Sequence, residues 1–323
     1  MNWIDYLYYT VKARKRDNAT KKLTDRGYSK TVARYAGKNL LSADDSNLFI
    51  YNKILSGEPF MVCRWGGFEL ANVKKFDFPI YRPNNNNSAQ TFGFLCQNAG
   101  FFPEDRSLLS KFVEIMKNSA ANADFLGVWF RQFEDYYIRK FMDKDLRIGY
   151  IFDFEPWSSD KIHWSAALKG KKVLVIHPFA ETIKVQYQKR EEIFPQSDIL
   201  PEFKLITMKS VQTAAGNKDE RFNTWFDALD YMHQQTQKID FDIAILGCGA
   251  YGMPLASMIK ADGKQAIHLG GATQILFGIR GRRWDTEPDH EYIRKLYTDA
   301  WCYPSDFETP EGAKNVENSC YWK

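Results

Sequence analysis

Three short apolar runs in the second half of the chain, Lys172–Ile176, Phe241–Leu246 and Gln265–Leu269, constrain the fold more than any other feature. Each is too short for a buried helix, and each breaks at a turn before a helical pattern begins. The turns are His177-Pro-Phe-Ala-Glu181, Gly247-Cys-Gly-Ala-Tyr-Gly252 and Gly270-Gly271, and the patterns run through Gln186–Ile193, Ile259 and Phe277. Lys204–Met208 adds a strand and Phe222–Gln235 an amphipathic helix. Earlier in the chain Pro59–Arg64, Phe125–Trp129 and Arg147–Phe152 read as strands, and Leu48–Leu55, Leu108–Asn118 and Glu134–Met142 as helices. Strands alternating with helices predict an α/β, Rossmann-like fold: a mostly parallel sheet with helices on both faces. The expected division is a basic helical arm over 1–45, the sheet domain over 46–285, and a tail over 286–323 that wraps it. Pro83–Gln90, with its run of asparagines, is expected to be an exposed loop.

Charge is unevenly placed. Ten Lys/Arg between Lys12 and Lys38 stand against Asp17 and Asp25, so this segment is +8 in a chain of net charge +4. Just ahead of it Trp3, Ile4, Leu7, Tyr8 and Val11 recur at helical spacing. An aromatic stripe followed by cations suits an interfacial helix on an anionic membrane surface, through residues 1–38. A helix docked on its own domain has the same pattern. No single-strand RNA-reading motif is present, and nucleic acid is not an expected partner. Five cysteines at 63, 96, 248, 302 and 320 show neither a C-x-x-C nor a zinc spacing. With no signal-peptide pattern and no run of about 18 apolar residues, a cytoplasmic location is expected, with a peripheral place at the inner face of the plasma membrane.

The chemistry-bearing motifs fall at strand ends. In an open parallel sheet the carboxyl ends of the strands form one rim, where ligands bind. His177 and Glu181, the turn Gly247, Gly249, Ala250, Tyr251 and Gly252, and His268 with Gly270 and Gly271 therefore stand as candidates for a nucleotide diphosphate site. Glycines there let backbone N–H groups approach a phosphate. A nicotinamide-type dinucleotide enzyme would use the same turn, but would place an acid at the end of the next strand, where this chain has His268-Leu269. Arg64, Trp65, Gly66, Gly67 and Glu69 follow an earlier strand, and Asp153-Phe-Glu155 follows another. Glu69 and Glu155 are the candidate catalytic carboxylates. Asp240-x-Asp242 lies at a strand start, the wrong edge, and Asp143-x-Asp145 in a surface turn. No serine-hydrolase elbow, H-E-x-x-H or phosphate-binding lysine loop is present. Aromatic residues reach 15%, and 12 of them fall within residues 124–164. That segment, with Trp129, Trp157 and Trp164, is where a sugar-stacking platform is expected, and Trp157 is the residue singled out for an acceptor role.

Arg64-Trp-Gly-Gly-Phe-Glu69-Leu70 resembles the R-F-G-D-G-E-L strand-turn of bacterial GT-D-fold glycosyltransferases, and Asp242–Gly252 with Gln265–Gly271 resembles their later glycine-containing elements. Asn98-Ala-Gly-Phe-Phe-Pro103, Glu155-Pro-Trp157 and Cys320-Tyr-Trp322 are similar to segments of relatives encoded among surface-polysaccharide genes. The resemblance implies transfer of a sugar from a nucleoside diphosphate donor to a glycan or lipid-linked acceptor. A non-catalytic nucleotide-sugar-binding protein is the alternative from another class. The family's metal-linked D-x-E pair reads Gly67-Phe68-Glu69 here. Glu69 carries over as a metal candidate, while a divalent cation (Mn or Mg) loses its aspartate; the diphosphate would then need Arg64, a histidine or helix N-termini.

Overall fold

The computed structural model describes residues 3–20, 29–79, 86–217 and 219–323, without the side chains of 17, 19, 20, 86–89 and 215. Nine strands form one sheet: β1 (Arg34–Tyr35), β2 (Lys38–Leu41), β3 (Phe60–Arg64), β4 (Phe125–Val128), β5 (Arg147–Tyr150), β6 (Lys172–His177), β7 (Lys204–Lys209), β8 (Ile243–Leu246) and β9 (Gln265–His268). Their order is β1-β2-β5-β4-β3-β9-β8-β6-β7. Every neighbouring pair is parallel except β1 with β2. Every residue of β4, β8 and β9 is buried. Successive side chains point to opposite faces, so both faces of the central sheet are covered, which is why these strands read as unbroken apolar runs.

The chain builds outward from β3 through β4 to β5, crosses to β6, and returns through β8 to place β9 against β3. The register Met61↔Ala266 and Cys63↔Leu126 puts β3 between the two halves. A crevice opens at the carboxyl ends where the strand order reverses.

Helix termini follow local chemistry. α1 spans Trp3–Thr20 and α2 spans Ala43–Ser56. The Ser42 hydroxyl accepts from Asp45 N at 3.1 Å to start α2, and Gly57, at φ 71°, ends it in the left-handed conformation. α3 (Gly67–Asp77), α4 (Asn86–Ala99), α5 (Leu109–Ala121) and α6 (Glu134–Phe141) lie between β3 and β5 in the chain. α7 (Ala180–Tyr187), α8 (Trp225–Gln237), α9 (Gly252–Ala261) and α10 (Ala272–Leu276) follow in the second half, with short helices at Arg190–Ile193, Arg282–Thr286 and Glu291–Arg294. Thr224 and Asp227 exchange side-chain-to-backbone bonds of 2.8 and 3.2 Å at the start of α8.

Three expectations change. Lys38–Leu41, read as helical arm, extends the sheet beside β5, because Leu40 pairs with Ile148 and Leu41 with Gly149. The asparagine run, read as loop, turns helical from Asn86, while residues 80–85 lie outside the described residues. The helix expected to run through Gln186–Ile193 is broken in two: it starts at Ala180, where the distant Glu308 caps its first turn, stops at Tyr187 and resumes over Arg190–Ile193.

Candidate functional site

A cavity of about 1000 Å³ opens at the carboxyl end of the β3–β9 seam. Arg64, Gly66, Gly67 and Glu69 reach it from the turn after β3, Trp129 and Arg131 from that after β4, and His268 and Gly271 from β9. Glu155, from the segment after β5, Arg283 and Trp284, from the helix Arg282–Thr286, and Glu317 and Tyr321, from the C-terminal tail, also line it.

Arg64 closes β3 with its guanidinium 5.5 Å from the Trp129 ring centroid and 3.3 Å from its acceptor, Trp65 O. The guanidinium rests on Gly270, whose φ of 67° and missing side chain make room for it. Among the described residues Arg64 forms no ion pair. Glu69 stands in the first turn of α3, 7% exposed, with its carboxylate turned back over Gly66 where any Cβ would collide with it. Burial raises its pKa above the ordinary carboxylate value, and Arg64 pulls it back down. His268 is buried against Gly252, and burial together with Arg64 lowers its pKa to about 3. The imidazole is therefore neutral near pH 7, so the charge at this point of the wall comes from Arg64 and not from His268.

The wall beyond Arg64 is aromatic. Trp129 meets both the Arg64 guanidinium and that of Arg131, the latter 5.2 Å from the ring centroid. Phe130 and Phe133 take positive φ, 58° and 68°, which curls the backbone of this turn around Glu134. The Glu134 carboxylate accepts from Trp129 N at 3.1 Å and from Arg131 N at 3.3 Å. Tyr35 donates its hydroxyl to Glu134 at 3.4 Å, and Arg16 of α1 reaches the same hydroxyl at 3.3 Å. Burial pushes the pKa of Glu134 up to about 7. Arg16 also lines the cavity, although it lies nearly fifty residues ahead of Arg64.

Four cavity-lining residues keep a buried polar atom without a hydrogen-bond partner among the described residues: Arg16 Nη2, Asn98 Oδ1, Trp129 Nε1 and His268 Nδ1. Each of these atoms is shielded from solvent, and His268 Nδ1 lies against Gly252, so they belong to the polar packing behind the cavity wall.

The structure separates the residues nominated from the sequence. Arg64, Gly66, Gly67, Glu69, Glu155, Gly249, His268 and Gly271 line the cavity. Trp65 is buried against Tyr137, and Gly270 contributes by admitting Arg64. His177 and Glu181 stay outside. His177 is buried with Nδ1 accepting from Phe179 N at 3.0 Å, and Glu181 is exposed in an ion pair of 2.7 Å with Lys184. The N-terminus of α7 is met by a carboxylate of the chain itself, because Glu308 accepts from Glu181 N at 2.9 Å and Thr182 N at 3.1 Å. The glycine turn is mostly a packing device. Gly247 abuts His177, Gly270 O and Thr273, Gly252 abuts His268, and Ala250 and Tyr251 are buried, with Tyr251 stacked on Trp225. Only Gly249 of this turn reaches the cavity.

Glu155 is 4% exposed, its Oε2 accepting from Trp157 Nε1 at 2.9 Å and Tyr292 OH at 2.6 Å. Trp157 thus supports Glu155 rather than lining the cavity, and Trp164 is fully buried with Nε1 donating to Phe154 O. The aromatic lining from this segment comes instead from Trp129, Phe130, Tyr150, Phe152 and Phe154. Arg131, Glu134, Arg283, Trp284 and the tail residue Tyr321 were not nominated, since no local motif marks them.

The donor set around Glu69 does not fit a divalent cation. Position 67 offers open space where the resemblance calls for an aspartate, and the Glu69 carboxylate is turned onto its own helix. Among the described residues no three His, Cys, Asp or Glu side chains converge as a metal site.

No protein-family model matches the chain, and no curated protein sequence matches it. Two solved structures are similar in shape, both of domain of unknown function 1792. One is a selenomethionine-substituted form and the other is described as having a distinct glycosyltransferase fold. Each is 12% identical, with TM-scores of 0.43 and 0.42, and the alignments cover 88% of this chain and 91% of those chains.

Proposed function

We propose that the chain is a glycosyltransferase that takes a nucleoside diphosphate sugar in the seam cavity and passes the sugar to a glycan or lipid-linked acceptor in surface-polysaccharide assembly. The observation that carries this reading is the cavity at the strand-order reversal, where Arg64 forms no ion pair among the described residues. A diphosphate offers Arg64 the charge-assisted partner that the described residues do not give it. The aromatic wall at Trp129 supplies a flat surface for a base or a sugar ring. The likeness of Arg64–Leu70 to the GT-D strand-turn supports the same assignment.

In this reading the diphosphate rests against Arg64, which takes up the charge that grows as the glycosyl–phosphate bond breaks and its electron pair leaves with the phosphate. Glu69, with its pKa raised by burial, takes the proton of the acceptor hydroxyl as the new glycosidic bond forms. Glu155, held by Tyr292 and Trp157, presents a fixed acceptor to a substrate hydroxyl. No step is routed through a metal.

A thermal-shift panel of nucleoside diphosphates, nucleotide sugars and nicotinamide cofactors tests the proposal, followed by a transfer and hydrolysis assay on whichever ligand stabilises the protein. Stabilisation by one nucleotide sugar with release of its diphosphate is the expected result. Stabilisation by a nicotinamide cofactor alone overturns it, and donor binding without transfer or hydrolysis reduces the protein to a nucleotide-sugar binder.

A further inference from the structure

α1 offers two faces of different character. Tyr9, Ala13 and Arg16 are buried, and Tyr6 and Tyr9 meet the rings of Phe78, Phe133 and Tyr136 at centroid distances of 5.2 to 6.1 Å. Lys12 fixes the same helix to Asp135 at 2.8 Å. Trp3, Ile4, Leu7, Tyr8 and Val11 therefore point away from the domain, between 45% and 57% exposed. At three and four residues beyond Val11 the same stripe continues as Arg14 and Lys15, both exposed. One solvent-facing line of a docked helix thus runs from aromatic and aliphatic to cationic, and Lys30 and Arg34 are exposed further along this basic arm.

We propose that α1 lies in the surface of an anionic bilayer, with Trp3, Leu7, Tyr8 and Val11 at the headgroup–acyl boundary and Arg14 and Lys15 on the lipid phosphates. An exposed stripe of this kind normally meets an apolar partner, and indole and phenol rings suit the interface between headgroups and acyl chains. The charge favours an anionic surface over a second copy of the chain, which would bring one +8 arm against another. No helix among the described residues is long and apolar enough to cross a membrane, so the contact is peripheral. Arg16 of the same helix lines the cavity, so at a rise of about 1.5 Å per residue α1 would hold the cavity within a few turns of the lipid surface. The inference does not depend on the reaction proposed above.

Co-sedimentation of the full chain with vesicles of phosphatidylcholine, or of equimolar phosphatidylcholine and phosphatidylglycerol, tests it. Binding is expected on the anionic vesicles and should weaken with salt. Leu7→Glu with Tyr8→Glu should abolish binding. Arg14→Gln with Lys15→Gln should lower the partition coefficient about twenty-five-fold, since each cation near such a surface contributes roughly a factor of five. Because all four side chains are exposed, the melting temperature should stay at the wild-type value, which separates lost binding from lost folding. The inference is overturned if wild-type protein ignores the anionic vesicles, or if the Leu7→Glu/Tyr8→Glu variant sediments like wild type. It also falls if light scattering shows a dimer that this variant splits while vesicle binding is absent.

Discussion

At the scale of single residues the site turns on Arg64. Its strand places it at the rim, Gly270 admits its guanidinium, and Trp129 covers it. A charge-assisted hydrogen bond lost with Arg64→Ala should weaken nucleoside diphosphate binding by about 10- to 100-fold, measured by calorimetry. Gly270→Ala should weaken binding as well, since the position combines positive φ with the guanidinium in the space of the new methyl. Glu134 predicts a pH effect. Its pKa is raised to about 7 by burial, so between the ordinary 4.5 and that value the folded chain holds a proton that the unfolded chain has lost. Its contribution to stability is therefore present at the acid end and declines as pH rises through this window. Urea denaturation from about pH 5 to about 7 should show that decline in the wild type and not in Glu134→Gln.

At the scale of elements the β4–α6 turn and the C-terminal tail decide the shape of the cavity. The turn is curled around Glu134 and carries Trp129 and Arg131 inward. The tail returns across the seam, with Arg282 N donating to Trp322 O and Arg283 N to Cys320 O, and it sets the Tyr321 ring on Gly271. Two tryptophans from the aromatic segment should therefore behave oppositely. Trp129→Ala should impair ligand-induced stabilisation with a modest change in the unliganded melting temperature, because its ring lines the cavity. Trp157→Ala should cost about 3 to 5 kcal/mol of stability, because a buried indole leaves a void and Glu155 loses a donor. Removing residues 310–323 should lower the melting temperature and abolish nucleotide stabilisation together, since Trp322 and Val316 are core and Glu317 and Tyr321 are cavity wall.

At the scale of the whole molecule the β3–β9 pairing joins two half-sheets, and the cavity exists because they meet with their order reversed. Each half supplies part of the cavity lining: Arg64 and Glu69 from one, His268 and Gly271 from the other. α1 is tied into the same region through Lys12–Asp135 and the Arg16–Tyr35–Glu134 chain. α1 is thus docked on the domain while keeping an exposed apolar edge.

The sequence by itself determined the class of fold, because a parallel strand buried on both faces must be a short apolar run and each run here ends in a turn before a helix. It located Arg64, Glu69, His268 and Gly271 for the same reason: strand ends form a rim whatever the strand order. It did not separate those from His177 and Glu181, which end an equally good strand. Which strand ends face one another depends on the pairing of β3 with β9, a contact between segments two hundred residues apart. Nor could it show that the glycines at 247 and 252 are filled by His177, Thr273 and His268, since a glycine that admits a side chain and one that admits a phosphate are the same letter. Only the tertiary structure brought Arg16, Glu134 and Tyr321 to the site, because their roles arise from packing across the sheet, where no local pattern of residue types records the partner.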